Sequence, residues 1–320
     1  MSAMPESAVA QAAEQTRLAF GLAVTAMADL DDTVVAISAD TLDLIGLRGL
    51  VEKHPDRVID VGIAEQNAMG IASGLATAGL RPFLCGYAPF ITARSIEQLR
   101  NDVAYAEQRV VIGAAASGIS LGVSGGTHHA LEDLALMRAL PNMTAIVPAD
   151  VHQAWNAVWA TDEIDGPVYI RLGGRVPEPA VTDRGAAFQV GRADCLRQGD
   201  DVAIIACGCL VGEALAAAEA LGQEGVAVRV LNMHTIKPLD RDAVLAAAAE
   251  TKGIVTAEEH RITGGLGGAV AELLAREHPT AMRMVGMPDE FGVVGPTGKV
   301  REGYGLSCGN IVQSCRELLA

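Results

Sequence analysis

The chain has 320 residues, enough for two domains of ordinary size. Half of its residues are apolar and only 3% are aromatic, so its core must be built mostly from Ala, Val, Leu and Ile. Its net charge of −15 excludes a nucleic-acid surface and binding to anionic membrane, and favours solubility. No run of about 18 apolar residues occurs, so no transmembrane helix is expected. The first residues lack a basic stretch followed by an apolar core. A secretory signal is therefore not expected, and a cytoplasmic location is. The cysteines (Cys85, Cys195, Cys207, Cys209, Cys308, Cys315) show no CxxC spacing, and Cys207 and Cys209 are too close for the usual zinc pairing. They are expected to be reduced, mostly buried, small side chains.

In chain order, a helix is predicted over residues 8–30 and a first strand over 33–37. Short apolar strands over 58–60 and 82–85 flank a helix over 65–78. A helix over 90–106 leads to a continuous apolar strand over 109–115. A helix over 131–139, a strand over 144–147, a helix over 151–162 and a strand over 168–171 follow. This alternation implies a parallel sheet covered on both faces. The Gly- and Pro-broken stretch 173–182 reads as a linker. Beyond it a second unit carries strands over 202–206, 227–231 and 253–257, with helices over 210–223, 241–250 and 263–275. The expected fold is therefore α/β, with two doubly wound domains at 1–175 and 188–320 joined by 176–187. The glycines at 263–268 are read as close helix-to-sheet packing. There is no GxGxxG, no Walker lysine and no acidic residue at the dinucleotide spacing.

The most informative stretch is Val61-Gly-Ile-Ala-Glu-Gln-Asn67, which places the carboxylate of Glu65 at a helix start just past a strand end. A crevice at strand ends is where open α/β sheets bind ligands. Tyr87 and Phe90 follow the next strand, two rings in a chain poor in aromatics. After the strand at 109–115 comes a long glycine-rich loop ending in His128 and His129. Such loops are usually functional, and histidine is the common proton carrier near neutral pH.

Taken in this order, Gly62-Ile-Ala-Glu-Gln66, Gly126-Thr-His128, Ala139-Leu-Pro-Asn-Met143 and Val147-Pro-Ala-Asp150 closely resemble the transketolase family of thiamine-diphosphate enzymes. The resemblance runs from about Thr16 to Asn310 and is to the C-terminal subunit of a split transketolase. That subunit carries a pyrimidine-binding domain and a transketolase-like C-terminal domain. The resemblance implies that Glu65 bonds N1′ of the cofactor's aminopyrimidine, that Tyr87 and Phe90 pack against the pyrimidine, and that Asp40 lies near the cofactor. It implies that His128 faces the reacting carbons and moves protons to and from substrate hydroxyls. It also makes Arg17 and Arg171 candidates for binding an anionic sugar, with Arg94 a third.

The chain departs from the family pattern at several positions. Ala116 stands where full-length members have a second substrate-contacting histidine, and Ser124 where an acidic residue is common. Leu44 replaces a phosphate-contacting serine, and His129 a glutamine. These changes bear on donor and acceptor choice. Gly-Asp-Gly, through which the family binds the diphosphate by a metal ion, does not occur in the chain. The resemblance therefore implies a separate N-terminal diphosphate-binding subunit, which holds Mg²⁺ (or Ca²⁺), in an α₂β₂ complex. Self-dimerisation through small-residue helix faces is expected as well. The expected reaction is transfer of a two-carbon ketol unit from an anionic, typically phosphorylated, ketose to an aldehyde. Two other readings stay open: a subunit like deoxyxylulose-phosphate synthase or the 2-oxo-acid dehydrogenase β chain, and a non-catalytic scaffold.

Overall fold

A computed structural model describes residues 3–320. In the first half, six strands form a wholly parallel array: β1 (Val34–Ser38), β2 (Val58–Asp60), β3 (Arg81–Tyr87), β4 (Val111–Ala115), β5 (Thr144–Ile146) and β6 (Val168–Arg171). Their order is β5-β6-β4-β3-β1-β2. β1 and β4 are buried along their whole length, as apolar runs covered by helices on both faces must be.

The second half contributes β7 (Asp194–Arg197), β8 (Val202–Ala206), β9 (Val228–Asn232), β10 (Thr235–Lys237), β11 (Ile254–Arg261) and β12 (Met282–Met287). Five of these form a sheet in the order β12-β11-β8-β9-β7, parallel except where β7 meets β9. β10 leaves that sheet and pairs antiparallel with β5, so the second half supplies an edge strand to the first sheet. A single apolar cluster runs from Ile37, Leu84 and Tyr169 to Ile205, Met233 and Leu274, and the two halves share it.

The helix expected over residues 8–30 is two helices, Glu6–Ala12 and Thr16–Ala28. Ala13 and Glu14, with φ of 46° and 55°, are left-handed and break it. The helix expected over 90–106 contains wide i→i+5 turns at Phe90–Arg94 and Leu99–Ala104. The glycines at 263–268 do open a helix, Leu266–Glu277, but its N-terminus is already occupied. Buried Glu258 accepts hydrogen bonds from the backbone N–H groups of Leu266 (2.6 Å) and Gly267 (2.8 Å). A Cβ on Gly267 would crowd Thr256 and Met284, so the glycine allows close helix-to-sheet packing as expected. All six cysteines are free. Cys85, Cys207 and Cys315 are buried, whereas Cys195 is exposed. Among the described residues, no helix is long and apolar enough to cross a membrane.

Candidate active site

The singled-out residues gather at the C-terminal ends of the parallel strands. Asp40 follows β1, Glu65 follows β2, Tyr87 ends β3, and the loop carrying His128 follows β4. From β1 the chain goes outward to β2 and then returns to β3 on the other side of β1. That reversal of direction opens a crevice in an α/β sheet. A cleft of about 450 Å³ lies there, walled by Asp40, Leu44, Arg48, Asp60, Tyr87 and Arg175.

Glu65 is the first residue of the helix Glu65–Thr77, where a carboxylate is favoured by the helix dipole. Its side chain is only 4% exposed. Asp60 shapes the turn before it: Oδ1 accepts from the backbone N–H of Gly62 (2.9 Å) and of Asp40 (3.1 Å). Asp40 and Gly62 have φ of 60° and 68°, so one carboxylate holds two left-handed turns in register. Sequence reasoning missed Asp60. An Asp two residues before a Gly at a strand end was the signal that could have found it.

Tyr87, Phe90 and the His128 imidazole form a three-ring cluster. Centroid distances are 6.0 Å (Tyr87–Phe90), 6.2 Å (Tyr87–His128) and 5.3 Å (Phe90–His128), all edge-to-face. His128 is half-buried, with Nδ1 3.0 Å from Thr127 Oγ1. Its loop is pinched at the base by paired backbone bonds between Gly118 and Ala130, each 3.0 Å. The neighbouring His129 points the other way and is 3% exposed, and burial lowers its pKa.

The three arginines occupy different settings. Arg171 is 6% exposed and lies behind the site. Its Nε and Nη2 donate to Asp133 Oδ2 (2.7 Å) and Oδ1 (3.1 Å), and Nη2 also reaches the carbonyls of Ala130 (2.9 Å) and Glu259 (3.0 Å). A guanidinium so engaged is a structural ion pair rather than a substrate contact. Arg17 is also buried. It donates to the carbonyls of Gly174 (2.9 Å) and Leu44 and to Gln15 Oε1, and thus ties together two segments, at Leu44 and Gly174, that wall the cleft. Arg94 is in the site, but Nη1 donates to Glu65 Oε2 at 2.6 Å and its guanidinium lies 4.5 Å from the Phe90 ring centre. The cations in the cleft wall are instead Arg48 and Arg175. Sequence reasoning missed both, because Arg175 falls in the linker and Arg48 in an unrecognised short helix, Arg48–Lys53. Of the substituted positions, Leu44 is buried and offers its carbonyl to Arg17, and Ala116 is buried with φ 58°, a left-handed position. Ser124 is exposed.

The transketolase pyrimidine-binding domain matches residues 12–175, and the transketolase C-terminal domain matches residues 191–311. A 6-deoxy-6-sulfo-D-fructose transketolase subunit of Clostridium sp. (strain MSTE9) is 41% identical, covering 91% of this chain and 90% of that protein. One of the subunits of an apulose-4-phosphate transketolase of Phocaeicola vulgatus is 37% identical, over 92% and 94%. A solved split-gene transketolase, described as an inactive β4 tetramer, superposes with a TM-score of 0.88 at 40% identity, over 95% of this chain and 98% of that one. The 1-deoxy-D-xylulose-5-phosphate synthase of Heliobacterium modesticaldum is 36% identical, but 90% of this chain spans only 44% of that protein. The chain therefore belongs to the transketolase family. Within it, the chain is a pyrimidine-domain subunit of the split kind, part of a thiamine-diphosphate-dependent transferase that works with a partner subunit.

Proposed function

We propose that this chain supplies the pyrimidine half of a transketolase site, within an α₂β₂ complex whose other subunit holds the diphosphate and Mg²⁺. The observation that carries this is a buried carboxylate, Glu65, at a strand-end crevice beside the ring cluster of Tyr87, Phe90 and His128. These residues fit the aminopyrimidine edge of the cofactor. A flat group, the Arg94 guanidinium, already bonds Glu65 and lies over the Phe90 ring, so the slot accommodates a planar, hydrogen-bonding group. Bound thiamine diphosphate supplies the electron sink for cleaving a ketose next to its carbonyl. Glu65 would hold the ring through a charge-assisted hydrogen bond in a water-poor cleft, and Tyr87 and Phe90 would bury its faces. His128, half-exposed on its loop, would take and return protons at substrate hydroxyls.

The substrate is proposed to be an anionic ketose. The two relatives named above carry a sulfo group or a phosphate in their substrates' names. Arg48 and Arg175 stand in the wall of the cleft where such a group could lie, and guanidinium suits a tetrahedral oxyanion. The rim supports docking of a partner. Val123 on the glycine-rich loop is exposed, as are Phe291 and Val294, which lie beside Gly126 and Gly125, and Ile63, two residues before Glu65. Exposed apolar side chains gathered beside a site commonly mark a protein interface.

The test is reconstitution with a diphosphate-domain subunit, followed by ketol transfer from ketose donors. Glu65→Ala is expected to lower turnover at least about 100-fold. Undiminished turnover would overturn the assignment. Release of CO₂ from pyruvate, with no ketol transfer, would instead favour a synthase-like reaction.

A further inference from the structure

Glu65 and Phe90, two of the three residues assigned above to the pyrimidine, are both covered by one side chain of the same subunit. Arg94 Nη1 donates to Glu65 Oε2 at 2.6 Å, and the Arg94 guanidinium carbon stands 4.5 Å from the Phe90 ring centre. The wide turn at Phe90–Arg94 places these two residues on one side of the chain. A buried carboxylate without a partner is costly, and Arg94 supplies the countercharge. The pair is asymmetric. The Glu65 side chain is 4% exposed, whereas that of Arg94 is 45% exposed, so the carboxylate is fixed and the cation has room to leave.

A guanidinium and an aminopyrimidine share the chemistry this slot selects. Both are flat, both stack on an aromatic face, and both can hydrogen-bond the carboxylate: the guanidinium through its N–H donors, the pyrimidine through N1′, with one proton shared between N1′ and the carboxylate. We propose that Arg94 is a displaceable occupant of the pyrimidine slot: it holds Glu65 and covers Phe90 in the empty subunit and moves aside when the cofactor loads. This rests on the functional reading above. Arg94 thereby protects a buried carboxylate before assembly. It also lowers the apparent affinity for cofactor, because only subunits with Arg94 withdrawn are competent to bind. Arg94 acts through Glu65 and is a positioning residue.

The experiment is calorimetric titration of thiamine diphosphate with Mg²⁺ into the reconstituted complex, comparing wild type, Arg94→Met, Glu65→Gln and the double variant. Arg94→Met is expected to bind the cofactor roughly three- to tenfold more tightly than wild type. In the Glu65→Gln background the same change is expected to have little effect, because the pair it breaks is already gone. Arg94→Lys, which keeps the charge but loses the stacked plane, is expected to fall between wild type and Arg94→Met and controls for folding. Weaker or unchanged binding by Arg94→Met, with wild type binding normally, overturns the proposal. Absence of binding in the wild-type complex overturns the functional reading itself, and the occupant role falls with it.

Discussion

Arg171 can be moved from the substrate to the core by one set of measurements. Arg171 and Asp133 are 6% and 1% exposed, and the pair is bidentate. Burial alone would raise the Asp133 carboxyl, but the Arg171 guanidinium outweighs it and holds the pKa low. Arg171 is in turn held charged: burial pulls its pKa down, and Asp133 more than restores it. Arg171→Met strands a buried carboxylate with the Tyr169 hydroxyl (2.6 Å) and a more distant His260 (3.8 Å) as its near groups. Removing one partner of such a pair costs about 3–5 kcal/mol. The loss would be read in equilibrium denaturation with urea. Asp133→Leu in the same chain removes the stranded charge and is expected to recover at least about 1 kcal/mol. In the reconstituted enzyme, the donor KM of Arg171→Met is expected to stay within about threefold of wild type. A stability change below about 1 kcal/mol together with a tenfold rise in KM for an anionic donor would refute this reasoning and return Arg171 to the substrate.

Glu178 and Gly118 give two further expectations. Burial pushes the Glu178 carboxyl up from 4.5 to about 7, against the hydrogen bond it accepts from Thr16 Oγ1 at 2.8 Å. Because the folded pKa lies above the unfolded one, its contribution to stability is fully present below about pH 4.5 and is lost as pH rises through about 7. Glu178→Gln is therefore expected to flatten that fall and to gain on the order of 3 kcal/mol at pH 8, read from denaturation midpoints across pH. An unchanged profile would sink the idea. Gly118 has φ 61° and its α-carbon faces the Glu259 carboxylate, which Arg301 binds at 2.6 Å. Gly118→Ala should cost about 1–3 kcal/mol and depress turnover by shifting the base of the His128 loop; wild-type thermal stability and rate would contradict this.

Much of the site was legible because its residues fall at strand ends, where a sharp change from apolar run to Gly, Glu or His shows in the sequence. β6 and β8 coincide with the apolar runs that predicted them. The strands that were missed lack that signal. β7 is Asp194–Arg197, partly exposed and polar at both ends. β12 alternates partly buried, exposed and buried positions as an outer strand does. β10 is a three-residue edge whose pairing with β5 depends on a contact between halves that no local pattern encodes. The arginines follow a related rule. Arg17, Arg94 and Arg171 all sit near strand ends or site helices, but tertiary partners (backbone carbonyls, Glu65 and Asp133) had already claimed their donors. Residue type and position reveal which cations are near a site; only the hydrogen bonds reveal which of them face it.

The second half of the chain brings no residue of the ring cluster, yet it holds the loop that does. Gly295 N–H donates to the Gly122 carbonyl (3.0 Å), Gly122 N–H to Thr297 Oγ1 (3.2 Å), and Thr297 Oγ1 to the Ser120 carbonyl (3.3 Å). A Cβ on Gly292 would come within 2.5 Å of His129 Nδ1, so that backbone lies directly against the residue next to His128. Arg171 carries the same linkage from below, bonding Asp133 after the loop and the Glu259 carbonyl on β11 together. A glycine-rich loop has little side-chain packing of its own, and its conformational freedom has to be removed from outside. Here the removal comes from segments 292–297 and 259–261, so the C-terminal domain sets the position of His128 through backbone contacts. A domain with no chemistry visible in its sequence can in this way be necessary for the chemistry of another.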